Sequence, residues 1–371
     1  MNRGFWDKLT KPIMILAPMA NVTDFAFRKM IAQYGKPDVM WTEFVSVDGL
    51  CSPGKERLMI DLKYSEIERP IVAQFFGSKP ENFYKCAQLA QELKFDGIDI
   101  NMGCPDKSVE KQGAGAALMK NPKLAKEIIL ATQEGAGELP VSVKTRLGYN
   151  KIDFEDWLPT LFEAKPAAVI FHLRTRKEMS KVPAHWEVMP EIMSLIGASP
   201  LETRGERGGL EAKPSDLTPP TQLSAAGEVG DFSYSKRGFS APLILGNGDV
   251  MSLQQGIEKC AQTGADGVMF GRGIFGNPWL FNREIRVEGL EIRDKLKVMI
   301  EHTKLFEKTF ISARGGPASG GKSFEVMKKH YKAYVNNFEG AKELRAELME
   351  GASTAQDVER IVKNFLLADQ K

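Results

Sequence analysis

Leu-Ile-Leu-Gly-Asn-Gly-Asp (243–249) and Gly-Val-Met-Phe-Gly-Arg-Gly (267–273) share one design. Each is a short apolar run that stops at a glycine turn carrying a charged side chain. The apolar part is near-continuous rather than alternating, as in a parallel strand covered on both faces. Six similar runs precede them: Ile13–Met19, Val39–Ser46, Ile71–Gly77, Gly97–Gly103, Val141–Gly148 and Ala168–Arg174. Helical spacing fills the intervals at Phe25–Tyr34, Glu81–Leu93, Pro122–Glu134, Phe154–Ala164, Pro190–Ile196 and Leu253–Thr263. Strand alternating with helix predicts βαβ units on a parallel sheet. Eight such units suit an α/β fold of the TIM (β/α)8 barrel type, which typically takes about 250 residues. A doubly wound open sheet is the alternative.

Beyond Trp279 the pattern changes. Ile292–Thr309, Phe324–Asn336, Ala341–Met349 and Ala355–Leu367 have helical spacing with no strand between them. This predicts a barrel domain over 1–285 and an all-helical domain over 286–371. From Arg293 to Lys332 there are ten Lys/Arg against four Asp/Glu. That excess fits either a solvated helix face or a surface that meets phosphates. Residues 197–240 are rich in Gly, Pro, Ser and charge, with little periodicity. They are expected to form a flexible insertion. It falls between the sixth helix and the seventh strand. Helix-to-strand loops of a barrel lie away from the catalytic face, so the insertion is expected to take no part in catalysis.

Composition narrows the class. The 371 residues are 43% hydrophobic and 26% charged, the mix of a globular protein with a large core. The net charge of +2 is too near balance to argue for nucleic acid by itself. Cys51, Cys86, Cys104 and Cys260 form no C-x-x-C pair, so no metal site is expected. Four thiols in an enzyme-sized chain, with no signal-like or membrane-length apolar run, predict a cytoplasmic protein without a membrane partner.

Catalytic side chains of a barrel lie at the C-terminal ends of its strands. The runs deliver Pro18 and Met19, Gln74, Asn101 and Cys104, Lys144 and Arg146, and His172, Arg174 and Arg176. The last two end in Asn247-Gly248-Asp249 and Gly271-Arg272-Gly273. A barrel phosphate site is commonly built after strands seven and eight, and glycines let backbone N–H groups approach an anion. Arg272 adds a charged fork. Lys144 suits either stabilisation of an anionic reduced flavin or Schiff-base chemistry. Cys104 stands on a loop at the catalytic face, between glycine and proline. With an ordinary pKa of about 8.5 it is protonated at neutral pH and can act as a general acid.

These residues also carry a family pattern. APMANVTDFAFR (17–28), TEF (42–44), DINMGCPDKSVEKQGAGAALM (99–119), VKTR (143–146), HLRTR (172–176), GNGDV (246–250) and GRGIFGNPW (271–279) resemble the tRNA-dihydrouridine synthases, as does MKKHYKAYV (327–335). The resemblance implies a barrel with a helical tRNA-binding domain. It implies FMN held by Pro18, Met19, Ala20, Gln74, Lys144, His172, Asn247, Gly248, Asp249, Gly271 and Arg272. NADPH or NADH would reduce the flavin. A uridine flipped out of tRNA would take hydride at C6 and a proton at C5 from Cys104. Asn101 would hold the uracil, with Arg174 and Arg176 near the RNA path. The partners implied are tRNA and NAD(P)H, and a monomer is expected. Two departures touch the RNA-facing loop. Leu173 stands where the family often has glycine, and 180–186 lacks the usual glycine and acidic residue ahead of Trp186.

Gly316 to Ser323 fits the pattern G-x-x-x-x-G-K-S. A phosphate-binding P-loop needs a preceding strand and a parallel sheet. This segment lies between helices, so NTP hydrolysis is not expected, and a glycine loop against RNA phosphates is the better expectation. The other readings of the chain are a Schiff-base lyase using Lys144 and an RNA-binding protein without catalysis.

Overall fold

The structure is a computed structural model and describes residues 2–196, 241–284, 290–311 and 321–368. The strands are β1 (Ile13–Leu16), β2 (Met40–Trp41), β3 (Val45–Ser46), β4 (Ile71–Phe76), β5 (Gly97–Asn101), β6 (Val141–Arg146), β7 (Ala168–His172), β8 (Leu243–Asn247) and β9 (Gly267–Phe270). All pairings are parallel, in the order β1-β9-β8-β7-β6-β5-β4-β2. A parallel bridge from Ile15 to Val39 joins the two ends of that order, so the sheet closes into a barrel. The open-sheet alternative is thereby excluded. β3 also pairs with β4, so β2 and β3 are two pieces of the barrel's second strand, interrupted at Thr42–Phe44.

Alternation along the strands separates two cores. Ile13, Ile15, Trp41, Val72, Ile170, Leu245 and Met269 pack inside the barrel, joined by Trp6. Met14, Leu16, Ala73, Ile98, Val143, Phe171 and Phe270 face the surrounding helices. Each expected strand but the second, which ends with β3 at Ser46, runs past the last paired residue into the loop that follows. Those extra residues, polar and glycine-rich, form the rim of the barrel.

The helices start where short polar side chains can cap them. Asp24 accepts from the Phe27 amide at 3.0 Å, Asn121 caps the Pro122–Ala136 helix, and Ser252 caps Leu253–Thr263. The start of the Phe25–Tyr34 helix is also fixed by Arg28, fully buried with Glu68 at 2.7 Å. Arg28 donates further to the carbonyls of Thr23 and Lys63.

The Phe25–Tyr34 helix has two apolar faces. Phe27 and Ile31 join the core around the barrel. Phe25, Ala26 and Met30 join a third core with Trp279, Leu296, Met299, Phe306, Met327, Tyr331, Leu344 and Ile361. The helices Ile292–Phe306, Glu325–Tyr334, Ala341–Gly351 and Ala355–Ala368 build that core. The first of them closes in a π-helical turn, Glu307–Ile311, in place of the expected α-helical continuation. The expected insertion at 197–240 lies outside the described residues. Its flanks do not: Ile196 follows the Met189–Leu195 helix, and Ala241 precedes β8 at the end remote from Asn247.

Candidate active site

The rim residues converge on a cleft of about 350 Å³ at the C-terminal ends of the strands, within the size range of ligand pockets. Pro18, Met19, Asn101, Cys104, Lys144, His172, Arg174, Asn247, Gly248, Asp249, Gly271 and Arg272 all line it. Three expected residues do not. Ala20 sits just beyond Met19. Gln74 lies beneath the floor, fully buried. Arg176 points away and pairs with Glu110 through both Nε and Nη2. Its guanidinium also covers the Tyr149 ring, 5.3 Å from the centroid.

The Cys104 loop is held from every side. Asn101 Oδ1 accepts from the Cys104 amide at 2.9 Å and the Gly103 amide at 3.2 Å. Arg146 Nε donates to the Gly103 carbonyl at 2.7 Å. The Ala116 amide donates to the Cys104 carbonyl at 3.0 Å. Gly115 has φ +59°, and a Cβ there would lie 2.8 Å from that same carbonyl. The glycine-alanine run downstream of the cysteine is therefore a close-packed brace for its loop. Burial pushes the Cys104 thiol pKa up, although the Asp106 amide and the charges of Arg146 and Lys144 pull the other way. The thiol keeps its proton through neutral pH.

Below the floor runs a polar chain. Asn101 Nδ2 donates to Gln74 Oε1 at 3.1 Å, and Gln74 Nε2 donates to Asp99 Oδ2 at 2.6 Å. Ser142 Oγ donates to the other Asp99 oxygen at 2.5 Å. Burial raises the Asp99 pKa to about 6, against the pull of these donors and Lys144. Sequence reasoning missed Asp99. An acidic residue inside an otherwise apolar strand was the available signal.

Lys144 Nζ donates to Asn247 Oδ1 at 3.2 Å. Burial, and then the Arg146 charge, lower its pKa to about 8. His172 is pushed well below its ordinary pKa by burial and by the surrounding cations Arg146, Lys144 and Arg174. It is neutral at pH 7. Arg174 Nη1 lies 3.0 Å from His172 Nε2. A guanidinium can only donate, so Nε2 accepts and Nδ1 carries the hydrogen.

At the two glycine turns, Asp249 joins the arginines. Its Oδ1 takes Arg272 Nη2 at 2.6 Å, its Oδ2 takes Arg174, and the Ala184 amide donates to it at 2.8 Å. Gly248 has φ +132°, and a Cβ would press to 2.7 Å from Ala184 Cβ. Around Gly271 there is open space, with Met19 Sδ the nearest atom at 3.9 Å from a would-be Cβ. Phe44, Met179 and Met251 add apolar walls that sequence reasoning did not single out.

The cleft carries Lys144, Arg146, Arg174 and Arg272 against the single carboxylate Asp249. Apolar walls, a cationic end and two glycine turns fit a planar ring joined to a phosphate. No cluster of His, Cys, Asp or Glu among the described residues could hold a metal ion. No described helix is long and apolar enough to cross a membrane.

A family model described as "Dihydrouridine synthase (Dus)" matches residues 15–200 and 231–369. It omits 201–230, inside the insertion. A "Probable tRNA-dihydrouridine synthase" of Staphylococcus aureus (strain COL) is 38% identical over 359 residues, covering 96% of this chain and 94% of that protein. A "Probable tRNA-dihydrouridine synthase 2" of Bacillus subtilis (strain 168) is 36% identical over 368 residues, covering 98% and 97%. The chain is an enzyme of the dihydrouridine synthase family.

Proposed function

We propose that this enzyme reduces uridines in tRNA to 5,6-dihydrouridine, with FMN as its cofactor and NAD(P)H as reductant. One observation carries the reading: the Cys104 thiol, the half-buried Lys144 and both glycine turns open onto one cleft. The relatives' names supply the RNA.

Gly248, Gly271 and Arg272 would hold the FMN phosphate, and Lys144 would meet the N1 and O2 edge of the ring, which gathers negative charge on reduction. Pro18, Met19, Asn247 and neutral His172 would border it. When bound, FMN supplies the hydride that uracil accepts at C6. As that bond forms, negative charge builds toward C5 and O4 of the uracil. The Cys104 thiol, held over the cleft by Asn101 and Arg146, donates its proton to C5. Positioning does most of the work, because both partners are fixed before reaction. A lysine with a pKa near 8 also suits imine formation, but family membership disfavours that chemistry. The domain boundary near residue 285 and a tRNA-binding role for the C-terminal helices belong to the same proposal. So does the cytoplasmic, monomeric state.

The experiment is direct. Dihydrouridine is mapped in tRNA from a strain lacking the gene and again after treatment with the purified, FMN-loaded enzyme and NADPH. Restoration of dihydrouridine at defined positions supports the reading. Untouched uridines, with FMN demonstrably bound, would reject it.

A further inference from the structure

Lys322, from the P-loop-like segment, does not reach toward a free phosphate. Its ammonium pairs with Glu43 and lies 3.2 Å from Asp61, and its side chain is 11% exposed. Glu43 sits in the break between β2 and β3, next to Phe44 of the cleft wall, and is itself buried. The other oxygen of Glu43 accepts from the Asn21 amide. The carbonyl of Asn21 accepts from Lys329 Nζ at 2.7 Å. Both backbone polar groups of Asn21 are thus held by charged side chains, one from the barrel and one from the C-terminal helices.

Asn21 has φ +55°, a left-handed conformation that asparagine adopts more readily than most non-glycine residues. It reverses the chain directly after Pro18-Met19-Ala20. The Val22 and Thr23 amides both donate to the Met19 carbonyl at 3.0 Å, and the Met19 amide donates to Thr23 Oγ1 at 2.9 Å. The turn therefore moves as one piece with Met19, which faces Gly271 across the cleft.

We infer that Lys322 and Lys329 are positioning residues: through Glu43 and Asn21 they fix the Met19–Thr23 turn, so docking of the C-terminal helices shapes the flavin pocket. The inference rests on the FMN reading given above. Neither lysine touches the cleft. Each acts by pre-organising a wall whose ordering bound cofactor would otherwise have to drive.

The test uses full-length protein stripped of flavin, with FMN affinity measured by quenching of flavin fluorescence. Lys329→Met removes a half-buried tether and leaves no buried carboxylate unpaired. It is expected to weaken FMN binding about tenfold, with Lys329→Arg restoring it to within about twofold. The unfolding temperature of the FMN-free Lys329→Met protein is expected to stay within about 2 °C of wild type. The paired change Lys322→Met with Glu43→Gln removes the closest ion pair together, leaves the part-exposed Asp61 to water, and should weaken FMN to a similar degree; wild-type affinity in this double variant would remove Lys322 from the inference. Wild-type affinity in Lys329→Met overturns the inference while leaving the flavin reading intact. A weakening that Lys329→Arg does not rescue, or one matched by a fall in unfolding temperature, also overturns it. Failure of wild-type protein to bind FMN removes the flavin reading and this inference with it.

Discussion

The amide of Cys104 donates to the side-chain oxygen of Asn101 at 2.9 Å, and the Asn101 amide nitrogen is in turn bound to Gln74. Asn101 is expected to hold uracil, and Gln74 to hold flavin; in this structure their side chains also hydrogen-bond to one another, and Asn101 shapes the loop that presents the thiol. Asn101→Ala should therefore retain FMN binding and lower single-turnover reduction of uridine about 100-fold, the cost of a misplacement of about 1 Å. Loss of FMN with unchanged turnover in the remaining holoenzyme would assign Asn101 to the cofactor instead.

Lys144 gives a pH dependence. Its pKa in the free enzyme is lowered to about 8. A bound anionic ligand favours the protonated form, so affinity is full below that value and falls as pH rises through it. FMN affinity is expected to drop above about pH 8, approaching tenfold per pH unit. Lys144→Met should bind more weakly at pH 7 and lose this limb. Stability runs the other way: the folded state holds this proton less tightly than the unfolded chain. The lysine's own contribution therefore rises with pH between about 8 and its unfolded value near 10.4. Titration of FMN affinity in both proteins checks the first statement. A limb that persists in Lys144→Met would assign it to another group.

Asp249 is expected among the cofactor ligands and lines the cleft, where its carboxylate pairs with Arg174 and Arg272. Arg174 is 2% exposed. Asp249→Ala should destabilise the protein by about 1–3 kcal/mol, because a buried guanidinium loses its carboxylate. The partial exposure of Asp249 keeps the cost below that of a fully buried pair. Denaturant unfolding measures it, and a change within about 0.5 kcal/mol would mean that water replaces the carboxylate without loss.

Deletion of residues 203–237 should leave FMN affinity unchanged. The flanking residues meet the barrel at the start of β8, the opposite end from Asn247 and the cleft. Fluorescence titration of the shortened protein decides. A large loss of affinity would place the segment against the cleft.

The barrel was legible because each strand ends in a glycine or polar rim, and because the helices begin at Asp24, Asn121 and Ser252. The two glycine turns and Cys104 were legible for the same reason: their chemistry is local in sequence. Pairings between distant side chains leave no such pattern. The pairing of Arg176 with Glu110, 66 positions away, is one of them. Lys322 reads as part of a phosphate loop until Glu43, 279 positions earlier, is seen beside it. Lys304, Lys322, Lys328 and Lys329 of the basic C-terminal stretch are likewise engaged within the protein. The charge count alone overstates the basic surface left for a partner.

The assignment of Cys104 as proton donor across from the flavin is tested most directly by anaerobic single turnover. FMN-loaded wild type and Cys104→Ala are each reduced with NADPH, then mixed with tRNA from a strain lacking the gene, and flavin reoxidation is followed by absorbance. Both proteins should bind FMN and accept electrons equally, while reoxidation by tRNA in Cys104→Ala is slowed about 100-fold or more. Equal reoxidation rates, with dihydrouridine formed by both, would contradict the account.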